Sequence, residues 1–83
     1  MGYKIAFKAS VARDLKKVDR DQAKRILARV EEELPEKAEA LPTLKGQFSG
    51  LRKFRVGDYR VIYTILGDTA LVLRIGHRSS VYR

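Results

Sequence analysis

The residues best suited to chemistry lie in the second half of the chain. Arg52, Lys53, Arg55 and Arg60 fall within nine residues of the stretch LRKFRVGDYRVIY, opposed only by Asp58. Arg74, His77, Arg78 and Tyr82 follow. Guanidinium forks match phosphate oxygens in two-point contacts, which a point-like ammonium does not. Histidine can carry a proton near neutral pH, whereas tyrosine, with a free pKa of about 10, acts as a base only where cations lower it. A lone histidine or a tyrosine near a terminus more often packs or stays idle. Beside a phosphate-sized cationic patch, they suit acid–base work on RNA.

These residues need elements to hold them. Residues 51–56 and 59–65 alternate apolar and polar around Gly57-Asp58, a two-residue turn, so they read as a hairpin. Gly67-Asp68 is a second such turn, leading into a strand over 70–78. Upstream, Tyr3, Ile5 and Phe7 alternate as a short strand. Ser10 is a candidate N-cap for a helix with Val11, Leu15 and Val18 on one face. Asp19 caps a second helix, with Gln22 completing a capping box and Val18 stapling onto Ala23. Its stripe of Ala23, Ile26, Leu27, Val30 and Leu34 should stop at Pro35, and residues 35–50 read as a loop. The order is β-α-α-β-β-β. It predicts a single α+β domain over residues 1–83, a helical hairpin packed on one face of a small antiparallel sheet.

Alternation assigns the faces of that sheet. Phe54, Val56, Tyr59, Val61, Tyr63 and Ile65 should face the helices, with Leu71, Leu73 and Ile75 from the last strand. Opposite them fall Lys53, Arg55, Arg60, Ile62, Thr64, Val72, Arg74, Gly76 and Arg78. The open face then carries Lys53, Arg55, Arg60, Arg74 and Arg78 with no acid among them. A wet sheet face is polar in any case. Solubility alone favours mixed signs, because like charges on neighbouring strands repel. Lys53, Arg55 and Arg74 are therefore candidate RNA contacts. Arg52 is a reserve cation that alternation turns the other way.

Composition narrows the partner. The chain has 83 residues, a net charge of +8 and a pI near 10.1. Residues 1–44 hold ten basic and eight acidic side chains, whereas residues 45–83 hold eight and two. The anion-seeking field thus lies on the strand half. With no cysteine and one histidine, thiolate and multi-histidine metal sites are excluded, and no cofactor is expected. The adjacent acids Glu31, Glu32 and Glu33 do not share a helix face, and with Glu36 and Glu39 they read as a solvated helix end and loop rather than a catalytic pair. No apolar run approaches the roughly 20 residues of a membrane helix, and the N-terminus is too weakly apolar for a signal peptide. A cytoplasmic location is the default expectation.

The segments R-V-G-D-Y-R-V-I-Y and G-H-R-S-S-V-Y-R, with the element order, resemble the RelE/ParE superfamily of toxins from toxin–antitoxin systems. The resemblance covers nearly the whole chain. Its RelE branch implies a metal-independent endoribonuclease that cleaves messenger RNA in the ribosomal A site, the ribose 2′-hydroxyl attacking the adjacent phosphate. On that pattern Arg60 holds the scissile phosphate, Arg78 stabilises charge, and Tyr82 acts as base with His77 as the alternative. Lys53 matches one of the two lysines of RelE, and the other falls at Leu51. The implied partners are a cognate antitoxin, in a hetero-oligomer, and the ribosome with its message, with no membrane. The ParE branch implies instead a non-enzymatic gyrase inhibitor, and a degenerate member would only bind antitoxin or RNA.

Overall fold

The computed structural model describes residues 2–44, 46 and 50–79. Its elements run β1 (Lys4–Phe7), α1 (Ala9–Lys16), α2 (Arg20–Lys37), β2 (Arg52–Val56), β3 (Tyr59–Leu66) and β4 (Thr69–His77), the expected order. β2, β3 and β4 form an antiparallel meander. β1 joins beside β4 in parallel, so the sheet order is β1-β4-β3-β2 and the sheet is mixed rather than wholly antiparallel. Both hairpin turns place a positive-φ glycine first, Gly57 at 59° and Gly67 at 60°, and among the described residues no non-glycine has a positive φ. That combination fits the turn type whose twist matches paired strands.

The helices cover one face. Val11, Ile26, Val30, Leu34 and Ala38 meet Phe54, Val56, Val61, Tyr63, Ala70, Val72 and Ile75 in one buried cluster. Removing such side chains from water contributes about 1.5–3 kcal/mol apiece. Tyr63 is fully enclosed and donates its hydroxyl to the Ala38 carbonyl at 2.7 Å, and burial pushes its pKa up to about 12. Arg29 lies over the Phe54 ring at 5.7 Å and also pairs with Glu33, fastening α2 to β2.

The inward set of β4 differs from simple alternation. Tyr63 pairs with Val72 but Ile62 pairs with Arg74, so Leu73 is an extra residue, a β-bulge. The bulge inverts the alternation before it. Ala70 and Val72 are core, whereas Leu71 and Leu73, expected inside, are only partly buried. Its cause is α1. β1 ends its pairing at Phe7↔Val72, and Lys8 N–H makes a last backbone bond to the Val72 carbonyl. Beyond that point α1 lies along the β4 edge. Ser10 Oγ donates to the Leu73 carbonyl at 2.7 Å, and Asp14 accepts from Ile75 N–H at 2.9 Å. A helix here satisfies an edge that would otherwise be open.

The helix ends also moved. Lys8, not Ser10, is the N-cap of α1, because the Ser10 hydroxyl is spent on Leu73. Asp19 does cap α2, accepting from Asp21 N–H. Pro35 lies inside α2, which runs on to Lys37. A proline lacks the N–H bond and crowds the carbonyl four residues before it, and α2 ends two residues later. The Pro35 carbonyl accepts Tyr3 N–H at 3.0 Å. Gly2 permits this approach, since a Cβ there would lie 2.9 Å from Pro35 Cβ. The other sheet edge is covered by the connection after α2, where Thr43 bridges Arg52 and Leu44 N–H bonds the Leu51 carbonyl. No described helix is long and apolar enough to cross a membrane.

Candidate functional site

The tight Gly57-Asp58 turn sets β2 against β3 in a register that pairs Arg55 with Arg60 and Lys53 with Ile62. The β3–β4 register carries these rows on: Arg60 faces Gly76, and Ile62 faces Arg74. Directly paired residues share a face. The face away from the helices therefore bears two neighbouring rows, Arg55–Arg60–Gly76 and Lys53–Ile62–Arg74, and it is less open than alternation suggests, because Ile62 is buried. Two guanidiniums set opposite one another on adjacent strands destabilise a sheet unless an anion joins them. This pairing is the strongest local signature of an anion site.

Arg78 lies just past β4 and is exposed. Its N–H donates to the Asp58 carbonyl at 2.9 Å, which brings it beside the turn that aligns Arg55 and Arg60. The structure thus gathers Lys53, Arg55, Arg60 and Arg78 at one end of the meander.

Arg74 has a different role from the one expected. By register it belongs to the open face, but its guanidinium reaches round the β4 edge to Asp14, with Nε–Oδ2 at 2.9 Å and Nη2–Oδ1 at 3.2 Å. Asp14 is 8% exposed and also holds Ile75 N–H. Burial pushes the Asp14 carboxyl up, but the bonds from Arg74 and Ile75, with the charges of Arg74 and Lys17, outweigh it and hold the pKa below the usual carboxylate value. The same partner raises that of Arg74. The expectation of a face free of acid fails here: Asp14 answers one of its cations. A signal was present, because Asp14 sits on the Val11, Leu15, Val18 stripe, where an acid has no reason to be unless something meets it.

Arg52 is corrected as an RNA contact. It shares the helix-side face with Phe54 and donates through Nη1 to the Glu39 and Leu41 carbonyls at 2.9 and 2.8 Å. Its charge secures the connection that follows α2.

His77 pairs with Tyr59, and so falls on the face opposite Arg60. The two rings meet edge to face, 5.8 Å apart at 84°. Ser79 N–H donates to Nδ1 at 3.2 Å, and Ser79 Oγ lies 2.8 Å from the same nitrogen. An amide can only donate, so Nδ1 is an acceptor and the proton of the neutral ring is on Nε2. Nε2 in that state donates rather than accepts. Tyr82 lies outside the described residues. No group of three or more potential metal ligands occurs among the described residues.

The family model for the ParE toxin of type II toxin–antitoxin systems, parDE, matches residues 5–82. No curated protein sequence matches the chain. Among solved structures, the toxin–antitoxin complex RelBE2 from Mycobacterium tuberculosis superposes with a TM-score of 0.86 at 25% identity, covering 94% of this chain and 100% of that one. The RelB–RelE antitoxin–toxin complex from Methanococcus jannaschii gives 0.65 at 28% identity, over 93% and 94%. The chromosomal ParDE system of P. aeruginosa gives 0.71 at 16% identity, over 90% and 95%, a likeness of fold alone. With two helices on a four-stranded mixed sheet and a family match over almost its whole length, the chain belongs to the RelE/ParE superfamily of type II toxin–antitoxin toxins.

Proposed function

We propose that this toxin is an endoribonuclease that cleaves messenger RNA in the ribosomal A site. The observation that carries the proposal is the direct pairing of Arg55 with Arg60 on the open face. In the reaction the ribose 2′-oxygen bonds to phosphorus and the bond from phosphorus to the 5′-oxygen breaks. The 2′-hydroxyl proton goes to a base, and solvent water protonates the departing 5′-oxygen. Arg60 holds the scissile phosphate and Arg78 answers the charge that builds on it. Arg78 does not donate the proton, since guanidinium does not ionise near neutrality. Lys53 and Arg55 bind the flanking backbone. The base is Tyr82, a role that requires cations to lower the pKa of its hydroxyl; His77, whose Nδ1 already accepts from Ser79, is the weaker candidate. A cognate antitoxin, as in the RelB–RelE complexes, covers this basic surface with an acidic segment, and the cytoplasm is where ribosome and toxin meet.

A second reading, a gyrase inhibitor without chemistry of its own, is favoured by the family model that matches, which describes ParE. The purified toxin added to a cell-free translation reaction, and in parallel to a gyrase supercoiling reaction, decides between them. The expected result is ribosome-dependent message cleavage, mapped by primer extension, with supercoiling intact. Intact message with supercoiling blocked reverses the assignment.

A further inference from the structure

We infer that the corner where α1 meets α2 is a second RNA surface, one that takes the phosphate backbone of a double-stranded segment. The choice of RNA rests on the function proposed above; the surface itself does not. The near-balance of charge in residues 1–44 conceals a separation. Residues 8–29 hold eight basic and three acidic side chains, whereas residues 31–39 hold five acidic and one basic. Arg13, Lys16, Lys17, Arg20 and Lys24 gather at the corner, and all five are exposed. None of them is in an ion pair among the described residues, whose pairs engage Lys4, Arg29, Lys37 and Arg74. Of the nearby acids, Asp14 is held by Arg74 and Ile75 N–H, and Asp19 caps α2.

Arg13 and Lys16 suit the end of α1, where the helix dipole favours cations. The same dipole disfavours Arg20 and Lys24 in the opening turns of α2, and four residues apart they also repel each other. The helix gives no reason for that pair; an external anion does. α1 and β4 advance in the same direction, from Ser10 at Leu73 to Asp14 at Ile75, so Lys17 comes level with the end of β4. The corner therefore lies at the same end of the molecule as the Gly57-Asp58 turn. The helices cover the face opposite Arg60, so a strand lying flat on the sheet does not cover the corner. A protein partner would look for an apolar centre, usually aromatic. The corner has none: the exposed large hydrophobic side chains among the described residues are Phe7 and Leu66, and residues 8–47 contain no aromatic. Single-stranded RNA also needs faces on which its bases stack. Cations without stacking groups fit a backbone whose bases are already paired, which proteins recognise by phosphates and shape.

The test measures, by fluorescence anisotropy at low salt, binding of three labelled probes: an RNA duplex of about 16 base pairs, a single-stranded RNA, and a DNA duplex of the duplex sequence. The variants are Arg20→Gln/Lys24→Gln, Arg60→Gln, and Lys4→Gln/Lys37→Gln, which removes the same charge elsewhere. The corner variant should lose on the order of ten-fold in affinity for the RNA duplex, as expected for two exposed ionic contacts, and little for the single strand. Lys4→Gln/Lys37→Gln should leave duplex binding nearly unchanged, and the unfolding temperature of the corner variant should hold or rise as the repulsion is relieved. Equal losses in the two double variants would mean that only net charge counts, and would overturn the inference. So would unchanged duplex binding by the corner variant, whether or not it loses affinity for a polyglutamate peptide, a loss that would assign the corner to an acidic protein. A DNA duplex bound as tightly and lost as steeply overturns the choice of RNA. If Arg60→Gln keeps its single-strand affinity while the corner variant loses the RNA duplex, the function proposed above fails and the corner stands.

Discussion

Arg60 and Arg74 occupy neighbouring rows of one sheet face, and both were candidates for the same task. Their surroundings set them apart. Arg60 is set against a second guanidinium, Arg55, with a glycine on its other side. Arg74 is drawn over the sheet edge to a buried carboxylate that also anchors the backbone of its neighbour Ile75. Like charges face each other directly in the row of Arg60, whereas in the neighbouring row the charge of Arg74 is answered by Asp14. A count of cations on a face therefore overstates the site, and the internal partners of each cation have to be subtracted first.

Four substitutions sharpen that contrast. The largest effect is expected from Arg60→Ala, which should reduce message cleavage by about 100-fold or more, the usual loss when one stabilising donor is removed, while circular dichroism shows an unchanged fold. Asp14→Ala should do the reverse. It strands Ile75 N–H and the Arg74 guanidinium, costing about 1–3 kcal/mol, and the unfolding temperature should drop by roughly 4–8 °C per kcal/mol. Cleavage per folded molecule should hold. The pH dependence follows from the depressed carboxyl of Asp14. Its stabilisation is complete above the unfolded value of about 3.9 and is lost as pH falls through the lower folded value, so the difference between Asp14→Ala and the unaltered chain should narrow in acid denaturation series below about pH 4. Arg52→Met should cost only about 1 kcal/mol in urea titration, by releasing the Glu39 and Leu41 carbonyls, and should leave message cleavage intact. The smallest change is expected from His77→Ala, whose cleavage rate should fall by much less than the ~100-fold that removal of a general base brings.

Local chemistry accounts for what could be read without coordinates. The two Gly-Asp turns, the Asp19 cap and the alternation through 53–63 depend on near neighbours, and from these the meander and the Arg55–Arg60 row follow directly. The rest depended on residues far apart in sequence. The Leu73 bulge exists because α1 replaces β1 along the β4 edge, and nothing within 69–77 announces it. Asp14 and Arg74 are 60 positions apart, so neither the capture of Arg74 nor the acid on its face shows in a local pattern. Pro35 misled for a related reason, because its stopping power is small where the last turn is tied to Tyr3.

The salt dependence of single-stranded RNA binding tests most directly which arginines meet the anion. Each phosphate contact removed should lower the slope of log affinity against log salt by about 0.7. The slope should fall by that amount in Arg55→Gln and in Arg60→Gln and stay unchanged in Arg74→Gln. A slope lowered by Arg74→Gln, with Arg55→Gln and Arg60→Gln indistinguishable from the unaltered toxin, contradicts this assignment.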